Sequence, residues 1–147
     1  MPSYNSGNYR CLPFLINMAR LYEKFVAEWL KVNLPHQYQL KVKETIKLNP
    51  LKLEIDLLIC DRVTGKTLYI LDTKYKSPQK PAEKDIYQIV TYATSQHCDR
   101  AVLIYPQPLA KPLNTVIGNI GLCSLTFSLK QNLEISGKDF VRSLLST

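Results

Sequence analysis

No apolar stretch in this 147-residue chain approaches the about 18 residues that suggest a membrane-spanning helix. The N-terminus has polar residues and one Arg before a short apolar patch, which is not the pattern of a signal peptide. Four cysteines, at 11, 60, 98 and 123, include no pair at metal-knuckle spacing such as C-x-x-C. A disulfide framework is not expected either, because 46% apolar residues suffice for one sizeable core. Cys60 in an apolar run and Cys123 after Leu122 read as small core residues. His36 and His97 fall in loop or helix-end positions and are weak candidates for metal ligands. Repeats and low-complexity segments are absent. These absences lead to the expectation of a reduced, cytoplasmic protein with no membrane association.

What is present is an excess of positive charge. Nineteen Lys and Arg against twelve Asp and Glu give a net +7 and a pI near 9.2. Such a balance favours polyanionic partners, since each phosphate neutralised releases condensed counterions. The charge is spread along the chain, with 11 basic and 7 acidic residues in 1–74 and 8 and 5 in 75–147, so no basic tail stands out.

Residues 1–12 read as an irregular lead-in to one domain over 13–147. From Pro13 to Val32, the apolar residues Leu15, Met18, Ala19, Tyr22, Phe25, Val26, Trp29 and Leu30 recur at three and four, predicting an amphipathic helix that Pro35 helps to stop. Leu40 to Leu48 alternates with lysines like a half-exposed strand. Asn49-Pro50 signals a turn and Leu51 to Cys60 a second strand. Thr64-Gly65-Lys66 suggests a hairpin into a third strand, Leu68 to Tyr75, giving an antiparallel meander. Ala82 to Gln96 predicts a helix with Ile86, Ile89, Val90 and Ala93 on one face. Ala101 to Tyr105 reads as a strand covered on both faces. After a Pro-rich loop, Leu122 to Leu129 alternates again, and Ser136 is expected to cap a closing helix to Leu145. The order α-β-β-β-α-β-β-α implies an α/β fold, a central sheet flanked by helices.

The chemistry concentrates on the second and third strands. Alternation sets Asp56 with Glu54 and Leu58, and turns Leu53, Ile55, Leu57 and Ile59 the other way. Asp72 and Lys74 are two apart and share a face. If the strands pair as a hairpin, Asp56 and Asp72 converge with Lys74 beside them. Two close carboxylates repel unless a cation or proton intervenes. Mg²⁺ suits such a site, because it takes oxygen ligands, keeps waters and engages phosphate oxygens. The Thr73 backbone carbonyl is a further candidate ligand, and Mn²⁺ a candidate substitute. The reaction that follows is phosphodiester hydrolysis, with Lys74 orienting the attacking water or stabilising developing charge. Glu23 lies at the border of the first helix's buried stripe and can reach inward. Gln88 and Tyr92, four apart on the second helix, can bond a phosphate or position water. Each signal has an ordinary alternative: Asp-x-Lys as a surface ion pair, or Tyr92 as a core ring with its hydroxyl at the rim.

Glu23, Asp56, Asp72-Thr73-Lys74 and Gln88-x-x-x-Tyr92, in that order, resemble the motif set of the PD-(D/E)XK nucleases, especially their RecB-like branch. Leu21-Tyr22-Glu23-Lys24-Phe25-Val26, Ile70-Leu71-Asp72-Thr73-Lys74-Tyr75-Lys76 and Asp85-Ile86-Tyr87-Gln88-Ile89-Val90-Thr91-Tyr92-Ala93 look more narrowly like McrC, the nuclease subunit of the McrBC systems that cut modified-cytosine DNA. The resemblance covers about 14–106. It implies a restriction-endonuclease-like fold, a Mg²⁺-dependent endonuclease, DNA as substrate and a McrB-like AAA+ GTPase as partner. The chain departs from the pattern at Ile55, where the family often has Pro. It also lacks the N-terminal region by which McrC engages the GTPase, so a fragment, a shortened homologue and a stand-alone relative stay open. Cys98 and Cys123 are too far apart for the iron–sulfur arrangement of some RecB-like nucleases. A RecB-like repair exonuclease or junction resolvase, a non-catalytic DNA-binding or assembly module, and a homo-oligomer are the alternatives carried forward.

Overall fold

The structure, a computed structural model, describes residues 17–76, 78–130 and 132–147. The expected lead-in over 1–12 and the helix start at Pro13 lie outside these. Helix α1 spans Met18–Asn33 and buries Tyr22, Val26, Ala27 and Leu30. It stops where Leu34, preceding Pro35, takes an extended conformation (φ −68°, ψ 140°), as a residue before proline tends to. Strands β1 (Tyr38–Leu48), β2 (Leu51–Asp61) and β3 (Thr67–Thr73) form the expected antiparallel meander. Asp61 shapes the second turn: its Oδ1 accepts from the backbone N–H groups of Val63 and Thr64 at 2.8 and 2.9 Å, and Gly65 adopts φ 75°.

Helix α2 (Glu83–Ser95) carries the chain from β3 to a parallel neighbour, β4 (Arg100–Tyr105). Then come β5 (Asn114–Ile117), β6 (Ile120–Thr126) and α3 (Leu133–Leu145). The six strands form one mixed sheet in the order β1-β2-β3-β4-β6-β5. Helices α1 and α3 supply Val26, Leu30, Phe140 and Leu144 to one face, against Leu57, Ile59, Leu71, Val102 and Ile104. On the other face, α2 packs Ile89 and Ala93 against Leu58, Ile70, Ala101, Leu103 and Leu122.

Four expectations are corrected. Among the described residues the order is α-β-β-β-α-β-β-β-α, because four exposed residues, too few to show a period, form β5 against β6. The last strand ends at Thr126, short of Leu129. Ser136 does not cap the closing helix. Asn132 does, accepting from the N–H groups of Glu134 and Ile135, while the buried Ser136 hydroxyl accepts from the Ser128 N–H and donates to its carbonyl. Lastly, Ile55 packs with Leu58 and Cys60, and Leu57 and Ile59 pack on the opposite face. The break in alternation coincides with Lys43 on the neighbouring strand, whose φ of 58° takes it out of the extended region between the rungs Val42↔Leu57 and Glu44↔Ile55.

Candidate active site

The end of the β2–β3 hairpin positions the acidic groups. The ladder between these strands ends at Leu57↔Leu71, and Asp56 and Asp72 are the next residues beyond that rung. The rest of β3 stays tied to β4: Thr73 faces Ile104, and the Lys74 N–H reaches the Ile104 carbonyl at 2.8 Å although Lys74 lies just past the strand. On its β2 side, Thr73 has no rung. An apolar strand thus delivers Asp72 into a position where only 5% of the residue is exposed.

Lys74 links two carboxylates. Its Nζ is 2.9 Å from Asp72 Oδ2 and 3.5 Å from Asp85 Oδ1, in the first turn of α2. Asp72 Oδ2 is itself buried, and the Lys74 ammonium at 2.9 Å is the positive charge that supports it. Burial pushes the Asp72 carboxyl up to about 6; Lys74 opposes the rise, and the charges of Asp56 and Asp85 add to it. Burial acts to lower the Lys74 ammonium, but Asp72 and Asp85 more than offset it and the net direction is upward. The Tyr105 hydroxyl, buried without a hydrogen bond, is pushed up to about 12, by burial first and by Asp85 next.

Lys43 links a second group. Its Nζ lies 2.8 Å from Glu23 Oε1 on α1, 3.1 Å from Asp56 Oδ1 and 3.9 Å from Glu54 Oε1. The bond to Glu23 raises its pKa most, burial opposes, and Asp56 adds to the rise. On α2, the Gln88 side-chain amide donates to the Tyr92 hydroxyl at 2.9 Å. Burial raises the Tyr92 hydroxyl, Gln88 opposes, and the nearby charges of Asp72 and Asp56 add to the rise. Tyr92 also packs its ring against the core, so the ordinary reading of this residue holds alongside its nearness to the acidic groups.

The structure therefore gathers Asp56, Asp72, Lys74 and Tyr92 at one end of the sheet, with Gln88 reaching them through Tyr92 and Glu23 through Lys43. Sequence reasoning missed Asp85 and Lys43. Asp85 stood in view at the start of a helix, where acidic residues are common on dipole grounds alone. Lys43 looked like one of several solvent-facing strand lysines. Among the described residues there is no cluster of three or more His, Cys, Asp or Glu at metal-ligand spacing. An open groove of about 510 Å³ runs along β4, β6 and β5, away from these groups. Cys60, Cys98 and Cys123 are free, and no helix among the described residues is long and apolar enough to cross a membrane.

Residues 1–106 match the family described as McrBC 5-methylcytosine restriction system component. The chain belongs to this family. The matched part includes every residue of the acidic site and ends one residue after β4, so β5, β6 and α3 lie beyond it. No match to a curated protein is found. Membership in a McrBC component family assigns the chain a role in restriction of modified DNA, and is consistent with a McrB partner.

Proposed function

We propose that this chain is a Mg²⁺-dependent DNA endonuclease of the PD-(D/E)XK type, the cutting subunit of a McrBC-like system directed at modified-cytosine DNA. The observation that carries the reading is the pair of buried Asp72 and half-buried Lys74 at the end of the β2–β3 hairpin beside Asp56. The donor set fits a hard divalent cation. Asp72 Oδ2 is buried with the Lys74 ammonium beside it, and the neighbouring charges of Asp56 and Asp85 make ionising Asp72 costlier, a cost that a divalent cation would offset. Mg²⁺ needs only one or two carboxylates, completing its shell with waters and substrate phosphate. Asp56, Asp72 and the Thr73 carbonyl would hold it, and Mn²⁺ would substitute. When bound, the ion would supply Lewis-acid polarisation of the phosphate and a more acidic water.

The protein's own groups do the rest. Lys74, held between Asp72 and Asp85, keeps an ammonium beside the reacting phosphate, where it orients the attacking water or stabilises developing charge. The exposed Gln88 and its partner Tyr92 offer polar contacts to a phosphate. Glu23 borders Asp56 through Lys43. A McrB-like AAA+ GTPase would select the modified DNA and deliver it, so target choice lies outside this chain, and the work takes place in the cytoplasm.

The test is incubation of plasmids with and without 5-methylcytosine in Mg²⁺, with and without the GTPase. Asp72→Ala and Lys74→Ala should each lower cleavage by about 10²-fold or more while circular dichroism shows a retained fold. Full cleavage by both folded variants overturns the site. Cutting of linear but not closed circular DNA would replace the endonuclease by a RecB-like exonuclease, and binding without Mg²⁺-dependent cutting would leave a non-catalytic module.

A further inference from the structure

Lys43 differs from the other lysines of its strand. Among the described residues, Lys41 and Lys47 make no ion pair, whereas the Lys43 ammonium meets carboxylates from α1 and β2: Glu23, Asp56 and, at longer range, Glu54. Its backbone is also unlike the rest of β1. At φ 58° it stands in a region that a residue with a Cβ rarely adopts and that persists only where the surroundings hold it. The neighbouring rungs are regular, so the irregularity is local to the residue that reaches the site.

Glu23 and Asp56 come from different elements, and their negative charges repel unless a cation stands between them. Here that cation is an ammonium. We propose that Lys43 is a built-in counter-ion of the centre, holding Glu23 and Asp56 in place without a metal and competing with the metal for Asp56. The inference rests on the reading of Asp56 as a metal ligand. A divalent ion at Asp56 and an ammonium 3.1 Å from the same carboxylate repel each other, so the ammonium opposes loading of the site and loading favours its withdrawal from Asp56. A lysine suits that task, because its point charge rides on a flexible four-carbon stem and keeps Glu23 as an alternative partner.

The experiment measures Mn²⁺ binding to the full chain by electron paramagnetic resonance of the free ion, without DNA. Asp56→Asn should abolish the site-specific binding, which ties the signal to this centre. Lys43→Met should then bind Mn²⁺ roughly tenfold more tightly than the parent, the size of an ordinary coupling between two sites. Lys43→Gly removes the same charge and accepts a positive φ, so it tests the idea if Lys43→Met does not fold. Lys43→Arg keeps the charge and should stay within about twofold of the parent. In melting experiments without metal, Lys43→Met should lose stability that Mn²⁺ restores. Unchanged or weaker Mn²⁺ affinity in the folded Lys43→Met and Lys43→Gly proteins overturns the counter-ion role and leaves the metal site standing. Parent protein that binds no Mn²⁺, or binds it equally well with Asp56→Asn, overturns both.

Discussion

A carboxyl that is 5% exposed and shares its surroundings with two other carboxylates keeps its proton longer than it would in the unfolded chain. For Asp72 the folded value is about 6 against an ordinary 3.8. Between those two pH values the folded protein holds a proton that the unfolded chain has released. Stability from this group is therefore fully present below about pH 3.8 and falls as the pH rises through 6. The rise corresponds to about 3 kcal/mol at neutral pH. Asp72→Asn, which imitates the protonated form, should thus raise metal-free stability by up to about that amount at pH 7–8, and the gain should shrink toward pH 4. Urea unfolding across that range in a chelator checks it; an Asn variant no more stable at pH 8 than the parent would show that Lys74 already compensates the buried charge. Asp72, Lys74 and Asp56 were legible as a set because polar residues interrupt otherwise apolar strands. Asp85 and Lys43 were not, since their significance comes from contacts across elements that no local period encodes.

Between elements, helix α3 closes one face of the sheet by pressing its backbone against an aromatic ring. Gly137 meets the Trp29 indole so closely that an added Cβ would fall on the ring atoms Cζ2 and Cε2. Trp29 cannot easily yield, because it stands edge-on to Phe127 at 5.6 Å, and Phe127 lies between Phe25 and Phe140. Gly137→Ala usually favours a helix by about 1 kcal/mol. Here the overlap should reverse the sign and cost about 1–3 kcal/mol, visible as a lower thermal midpoint with cleavage per folded molecule unchanged. A Gly137→Ala protein as stable as the parent would mean that the two helices separate without penalty. Among the described residues, sequence periodicity gave the three helices and five of the six strands, because each of these turns a row of apolar side chains toward the core, fully buried or, in β1, half-buried as at Leu40 and Ile46. It did not give β5, exposed at all four positions, or the start of α3, where a capping Asn and a buried, hydrogen-bonded Ser look alike in one dimension.

For the whole molecule, the net charge of +7 and the acidic site pull in opposite directions. Phosphate approaching Asp56, Asp72 and Asp85 is repelled unless positive charge surrounds that end of the sheet, and Lys74 and Lys43 are already engaged with carboxylates. Attraction must then come from the dispersed Lys and Arg residues, acting sequence-independently through counterion release. Direct DNA binding by the chelated Asp72→Ala protein should therefore weaken steeply with salt and, if the proposed partner recognises the modified base, be indifferent to methylation. If three phosphates are neutralised, affinity should fall about 40-fold between 50 and 200 mM salt. Fluorescence anisotropy on methylated and unmethylated duplexes measures both properties at once. Binding that ignored salt, or that preferred the methylated duplex without any partner, would move base recognition into this chain and overturn the division of labour proposed here.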